Sequence, residues 1–83
     1  MEVNKLGTIH IGFGEAIRTI RLRNGMSLHD LAEKTGISSS YIVRIESGKT
    51  KKPSFSVIEC LVQGLGIDLA DLLNLIESNT DNN

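Results

Sequence analysis

The apolar residues of this chain recur at helical spacing in five separate segments, and no stretch shows the strict alternation of a half-buried strand. Phe13, Ile17 and Ile20 stand at i, i+4 and i+7, one face of a helix, and Asn24-Gly25 supplies a stop, so the first helix is expected from Phe13 to Asn24. Ser27 then precedes Leu28, His29 and Asp30. Its hydroxyl can accept one of the amide protons that a helix start leaves unpaired, while Asp30 falls in the first turn, where negative charge is favoured. The second helix, Leu28 to Thr35, buries Leu31 and Ala32 and ends at Gly36, the residue type that enters the left-handed conformation without a Cβ penalty. Ser38 caps a short third helix with Ile42 and Ile45 facing inward, and Gly48 stops it after Glu46 and Ser47. Pro53 disfavours helical geometry at Lys52 and leaves Ser54 to cap a fourth helix, Phe55 to Leu65, in which Ile58, Leu61, Val62 and Leu65 share a face and Gly64 and Gly66 mark the end. Asp68 caps the fifth, where Leu69, Leu72, Leu73 and Ile76 repeat at i, i+3, i+4 and i+7.

An all-α domain is therefore expected over residues 13–77, preceded by an arm at 1–12 with no helical period and followed by a polar tail at 78–83. Composition narrows what that domain does. Aromatic residues are limited to Phe13, Tyr41 and Phe55, so the core is built from Ile, Leu and Val. The single cysteine, Cys60, excludes an internal disulfide and a multi-thiolate metal site; it reads as a small core hydrophobe and fits a reducing, cytoplasmic setting. His10 and His29 have no second ligand at metal spacing, so neither a metal nor a cofactor is expected. No nucleophile, base and orienting group occur at workable spacing and no glycine-rich phosphate loop follows a strand, which argues against an enzyme. No apolar run approaches the length of a bilayer span, and the first residues, with Glu2 and Lys5, do not read as a signal peptide.

A net charge of -1 argues at first against a nucleic-acid partner, but the charges are not evenly distributed. Between Arg18 and Lys52 eight bases face three acids, whereas from Pro53 onward there are five acids and no base. A basic half followed by an acidic half points to one anion-binding face. Within the basic half, Ser27 to Gly48 places two short capped helices around Gly36-Ile37-Ser38, the outline of a helix-turn-helix. In that motif the second helix offers its N-terminal residues to base edges in the major groove while the first crosses the phosphate backbone.

The string Arg21-Leu22-Arg23-Asn24-Gly25-Met26-Ser27, with Leu31-Ala32, Gly36-Ile37-Ser38, Tyr41-Ile42 and Arg44-Ile45-Glu46-Ser47-Gly48-Lys49, resembles the Cro/repressor-type (XRE-like) helix-turn-helix family. Pro53-Ser54 and Gly64-Leu65-Gly66-Ile67 continue the resemblance. In length and outline the chain is similar to the controller proteins of restriction-modification systems and to immunity-type repressors of mobile elements. The resemblance implies a five-helix, lambda-repressor-like domain that binds double-stranded DNA as a transcription regulator, with the helix-turn-helix at helices 2 and 3. Carried over position by position, it implies base contacts from Ser39, Ser40 and Arg44, with Val43 beside them against a thymine methyl. Lys49, Lys51 and Lys52 match a phosphate-gripping loop, Ser38 matches a cap that also reaches a phosphate, and the Tyr41 hydroxyl is a further phosphate contact. Arg21 and Glu46 match a pair that fixes the recognition helix against the first helix. Where Leu28 stands the family commonly carries glutamine, whose amide anchors the second helix to DNA; leucine has no such amide. Because one recognition helix reads few base pairs, a homodimer on a palindromic operator is expected, with Phe55, Val57, Leu69, Leu72 and Ile76 as interface candidates. The competing function is an antitoxin-like protein-interaction module of the same fold, and a protein antirepressor is a further possible partner.

Overall fold

A computed structural model describes residues 12–50 and 53–78, and these form α1 (Phe13–Arg23), α2 (Leu28–Thr35), α3 (Ser39–Glu46), α4 (Phe55–Leu65) and α5 (Leu69–Ser78), with no strand among them. The expected arm before Gly12, His10 within it, Lys51 and Lys52, and the tail beyond Ser78 lie outside the described residues.

The helix starts follow their capping residues. Ser27 Oγ accepts the Asp30 amide and Asp30 Oδ2 accepts the Ser27 amide, both at 2.9 Å, a reciprocal box that pairs two donors the helix leaves free. Ser38 Oγ accepts from Tyr41 N at 3.2 Å and Ser54 Oγ from Val57 N at 3.3 Å. At α5 the acceptor is Asp71, whose Oδ2 takes the Asp68 amide at 3.3 Å.

The bonds from the Ser27 amide and hydroxyl hold the Asp30 carboxyl below its ordinary pKa. A depressed folded pKa adds stability above the unfolded value, and that stability is lost as pH falls through the folded value. We therefore expect Asp30→Ala to melt below the parent at neutral pH, with the two melting curves converging under about pH 3. Thermal melts followed by circular dichroism across that range check this, and a pH-independent gap would contradict it.

The core lies where all five helices meet: Ala16, Ile17 and Ile20 of α1, Leu31 of α2, Ile42 and Ile45 of α3, Leu61 and Leu65 of α4 and Leu72 of α5 are all buried. Helix α1 packs on α3 and α5, and α2 packs on α3 and α4. Two of these crossings bring backbones close together. At Gly14 a Cβ would lie 2.9 Å from the Ile45 carbonyl carbon and closer still to its oxygen, so α1 and α3 touch through main chain. Gly64, expected to mark a helix end, instead lies inside α4, where a Cβ would be 2.5 Å from Thr35 Cγ2 and 3.3 Å from Leu31 Cδ1 of α2. The stop is Gly66, which is left-handed.

Asn24 is likewise the C-cap of α1 and not its last helical residue, and its side chain donates to the Leu65 carbonyl at 3.0 Å. That bond ties the end of α1 to the end of α4.

Candidate nucleic-acid interface

The turn between α2 and α3 is closed by local bonds. Gly36 sits at φ 75° and donates to Ala32 O at 2.9 Å, while Thr35 Oγ1 donates to Leu31 O at 2.8 Å and accepts from Ile37 N at 3.1 Å. These bonds fix the direction in which α3 leaves. Ile42 and Ile45 then anchor α3 to the core, which turns Ser39, Ser40, Val43, Arg44 and Ser47 to the surface. All four residues expected at base edges are exposed on this face, Val43 by 44%. Ser38 is exposed at the start of α3, in contact with Ser40 Oγ at 3.4 Å, and Tyr41 is half-buried.

The C-terminal end of α3 is wrapped by the chain that follows it. Ser47 N donates to Val43 O and Lys49 N to Arg44 O, both at 2.9 Å, and Thr50 N donates to Arg44 O at 3.2 Å. Lys49 is thereby held exposed beside the foot of α3. Among the described residues neither Arg44 nor Lys49 has an ion-pair partner, and both are exposed.

Arg21 is only 6% exposed and is paired with Glu46. Its Nε donates to Glu46 Oε2 at 2.7 Å, Nη2 to Oε1 at 2.9 Å and Nη1 to the Met26 carbonyl at 2.9 Å. The planar guanidinium matches the carboxylate fork, and the Glu46 hydrogen bonds raise the Arg21 pKa above its ordinary value despite burial. One side chain thus joins α1, the loop before α2 and the last turn of α3.

The expected interface residues of α4 and α5 divide. Phe55 is 62% exposed, Leu69 is exposed, and Val57 and Ile76 are half-buried. Leu72 does not belong with them: at 1% exposure it is a core residue, and no partner can reach it. Its neighbour Leu73 is the exposed one, so the large apolar side chains left outward on α4 and α5 are Phe55, Leu69 and Leu73. A stripe at i, i+3, i+4 and i+7 is wider than the face that α1 and α4 cover, and spacing alone does not say which leucine is left over. Cys60 is half-buried and unbonded to any other cysteine, and the described residues hold no cluster of His, Cys, Asp and Glu able to bind a metal. No helix of the described residues is long and apolar enough to cross a membrane.

Residues 13–75 match a family model described as a helix-turn-helix domain. The chain is 36% identical over 61 residues to the HTH-type transcriptional regulator SinR of Bacillus licheniformis, covering 74% of this chain and 55% of that protein. The chain thus spans about half the length of this relative. Among solved structures, the clp gene regulator ClgR from C. glutamicum superposes with a TM-score of 0.77 at 28% identity, covering 86% of this chain and 91% of the other. The wild-type restriction-modification controller protein C.Esp1396I superposes with a TM-score of 0.75 at 25% identity, covering 82% and 87%. These relatives are named as regulators and controllers, in agreement with the expectation that the chain is not an enzyme. On the fold, the turn and the matched span together, the chain belongs to the helix-turn-helix domain family.

Proposed function

We propose that this chain is a cytoplasmic regulator of transcription that binds a palindromic DNA operator as a homodimer, with α3 in the major groove. The observation that carries the reading is the outward face of α3. Ser39, Ser40, Val43 and Arg44 stand together on a helix whose opposite side is fixed in the core, with Lys49 exposed at its foot. Arg44 is the one long donor on that face and suits bidentate recognition of a guanine edge. Ser38, Tyr41 and Lys49, with Lys51 and Lys52 of the same loop, take phosphates. The exposed Phe55, Leu69 and Leu73 give a second copy an apolar surface to cover, and two copies place their recognition helices about 10 base pairs apart.

Selecting bound duplexes from a random pool tests the whole reading at once. A consensus of two inverted half-sites about one helical turn apart supports it, and an absent or asymmetric consensus defeats the dimer. The lysines and the arginine then separate by kind of loss. Lys51→Ala with Lys52→Ala weakens binding to every duplex alike and lowers the salt slope of the homodimer by roughly 4, two lysines in each of two subunits, whereas Arg44→Ala costs about 1–3 kcal/mol per half-site on the selected duplex and little elsewhere. Fluorescence anisotropy against selected and scrambled duplexes at several salt concentrations distinguishes these outcomes. If the protein retained no duplex at low salt but recovered one protein in stoichiometric amount, the apolar patch would instead mark an antitoxin-like interaction module.

A further inference from the structure

Beside the outward face of α3 lies a cleft of about 370 Å³, bounded by Arg18 and Arg21 of α1, Leu28 of α2, and Val43, Glu46 and Ser47 near the end of α3. Arg21 and Glu46 meet here as the buried pair already described. The pair's hydrogen-bonding groups are largely committed: Arg21 Nε and Nη2 to the carboxylate, Nη1 to the Met26 carbonyl, and both Glu46 oxygens to Arg21. A phosphate entering the cleft would therefore find the pair's main donors already taken. Two further sides are hydrocarbon: Leu28, half-buried with its inner side against the core, and Val43, 44% exposed. Arg18 also lines the cleft and is exposed, which keeps the surroundings cationic while Leu28 and Val43 supply the apolar part of the lining.

From this arrangement we infer that Leu28 and Val43 together form a cup for the C5 methyl group of a thymine, making Leu28 a specificity-determining residue although it lies outside the recognition helix. The inference rests on α3 occupying the major groove, as proposed above. The occupant follows from the chemistry of the groove. Among the groups that base pairs present there, the C5 methyl of thymine is the apolar one; the others are hydrogen-bond donors and acceptors that gain nothing from a leucine and a valine. Thymine is thereby favoured over cytosine at the base opposite the cup, because cytosine offers a hydrogen in place of the methyl and an amino donor that finds no acceptor on either side chain. Leu28 thus exchanges a polar anchor for an apolar reader, and its contribution is selectivity more than affinity. Val43 alone would touch a methyl on one side; Leu28, from a different helix, closes the other side and makes the contact depend on how α2 and α3 are docked.

The test uses the full chain and the duplex recovered by selection, synthesised with each thymine in turn replaced by deoxyuridine, which deletes only the C5 methyl. At one position per half-site the parent should bind the deoxyuridine duplex about fourfold more weakly, the effect of withdrawing one methyl from an apolar contact. Leu28→Ala and Val43→Ala should bind thymine and deoxyuridine duplexes equally at that position. Circular dichroism melts confirm that each variant is folded, and Val43→Ala, at an exposed site, retains the parent fold in any case. A parent that binds its selected duplex but shows no penalty above about 1.5-fold at any thymine overturns the cup and leaves the groove reading standing. A penalty that persists unchanged in both variants overturns it too, by assigning the methyl to other residues. If selection yields no specific duplex, the groove reading and the cup fall together.

Discussion

Replacing Glu46 with alanine should cost about 3–5 kcal/mol, a large share of the stability of a domain of this size. The cause is what the substitution leaves behind. Arg21 stays almost completely buried, still bonded to the Met26 carbonyl but without the carboxylate that balanced its charge and occupied two of its donors. A buried charge without a partner costs far more than an absent pair, so the double replacement Arg21→Met with Glu46→Leu should recover most of the lost stability. Urea titrations of parent, single and double variants measure both quantities. A Glu46→Ala loss under about 1 kcal/mol, within the range of exposed ion pairs, would mean that water reaches the pair and that the packing described here is too tight. The double variant also separates stability from orientation: if it folds like the parent yet binds the selected duplex less selectively, the pair sets the angle of α3.

Gly14→Ala should destabilise the domain by roughly 2–3 kcal/mol, against the direction that helix propensity predicts. In an ordinary exposed helix the same change gains about 1 kcal/mol. Here the added methyl meets the Ile45 carbonyl group, and because the obstacle is main chain in a packed helix it yields only if α1 and α3 separate. Gly12 is the internal control: it lies just before α1, its φ of -74° suits any residue, and an added Cβ meets nothing within 4 Å. Gly12 is the N-cap of α1, where alanine is poorer than glycine, so Gly12→Ala should cost at most about 1 kcal/mol, well under the Gly14 loss, and calorimetry of the pair isolates the crossing. Equal melting temperatures for the two variants would contradict the close approach.

Most of the architecture was legible because the spacing of apolar residues and the capping serines carry it locally. Ser27, Ser38 and Ser54 each start a helix at the expected residue, and Ile42 and Ile45 are buried as their spacing requires. What could not be read from spacing depends on which neighbour a residue meets. Gly14 and Gly64 look like any glycine in a helical pattern, and only the α1–α3 and α2–α4 crossings reveal that their hydrogen atoms are what lets the helices touch. Asn24 reads as a stop, and its bond to Leu65 spans 41 residues that no local rule connects. Leu72 and Leu73 are equivalent in the pattern and opposite in the fold. For the interface, exposure of Ser39, Ser40, Val43 and Arg44 followed from the inward isoleucines, while the Arg21–Glu46 pair was accessible only through family resemblance, since nothing in the periodicity relates residues 25 apart. The part Leu28 plays was hidden for the same reason: its neighbour across the cleft belongs to another helix.

The two sides of α3 are under different constraints. Ile42 and Ile45 are enclosed on every side, so changes there are paid for in stability, whereas Ser39, Ser40, Val43 and Arg44 have free space around them and can vary within about half a kcal/mol. If α3 reads DNA as proposed, substitutions at these four positions would change the site bound while leaving the fold intact, whereas a change at Leu28, which packs against the core, would alter both.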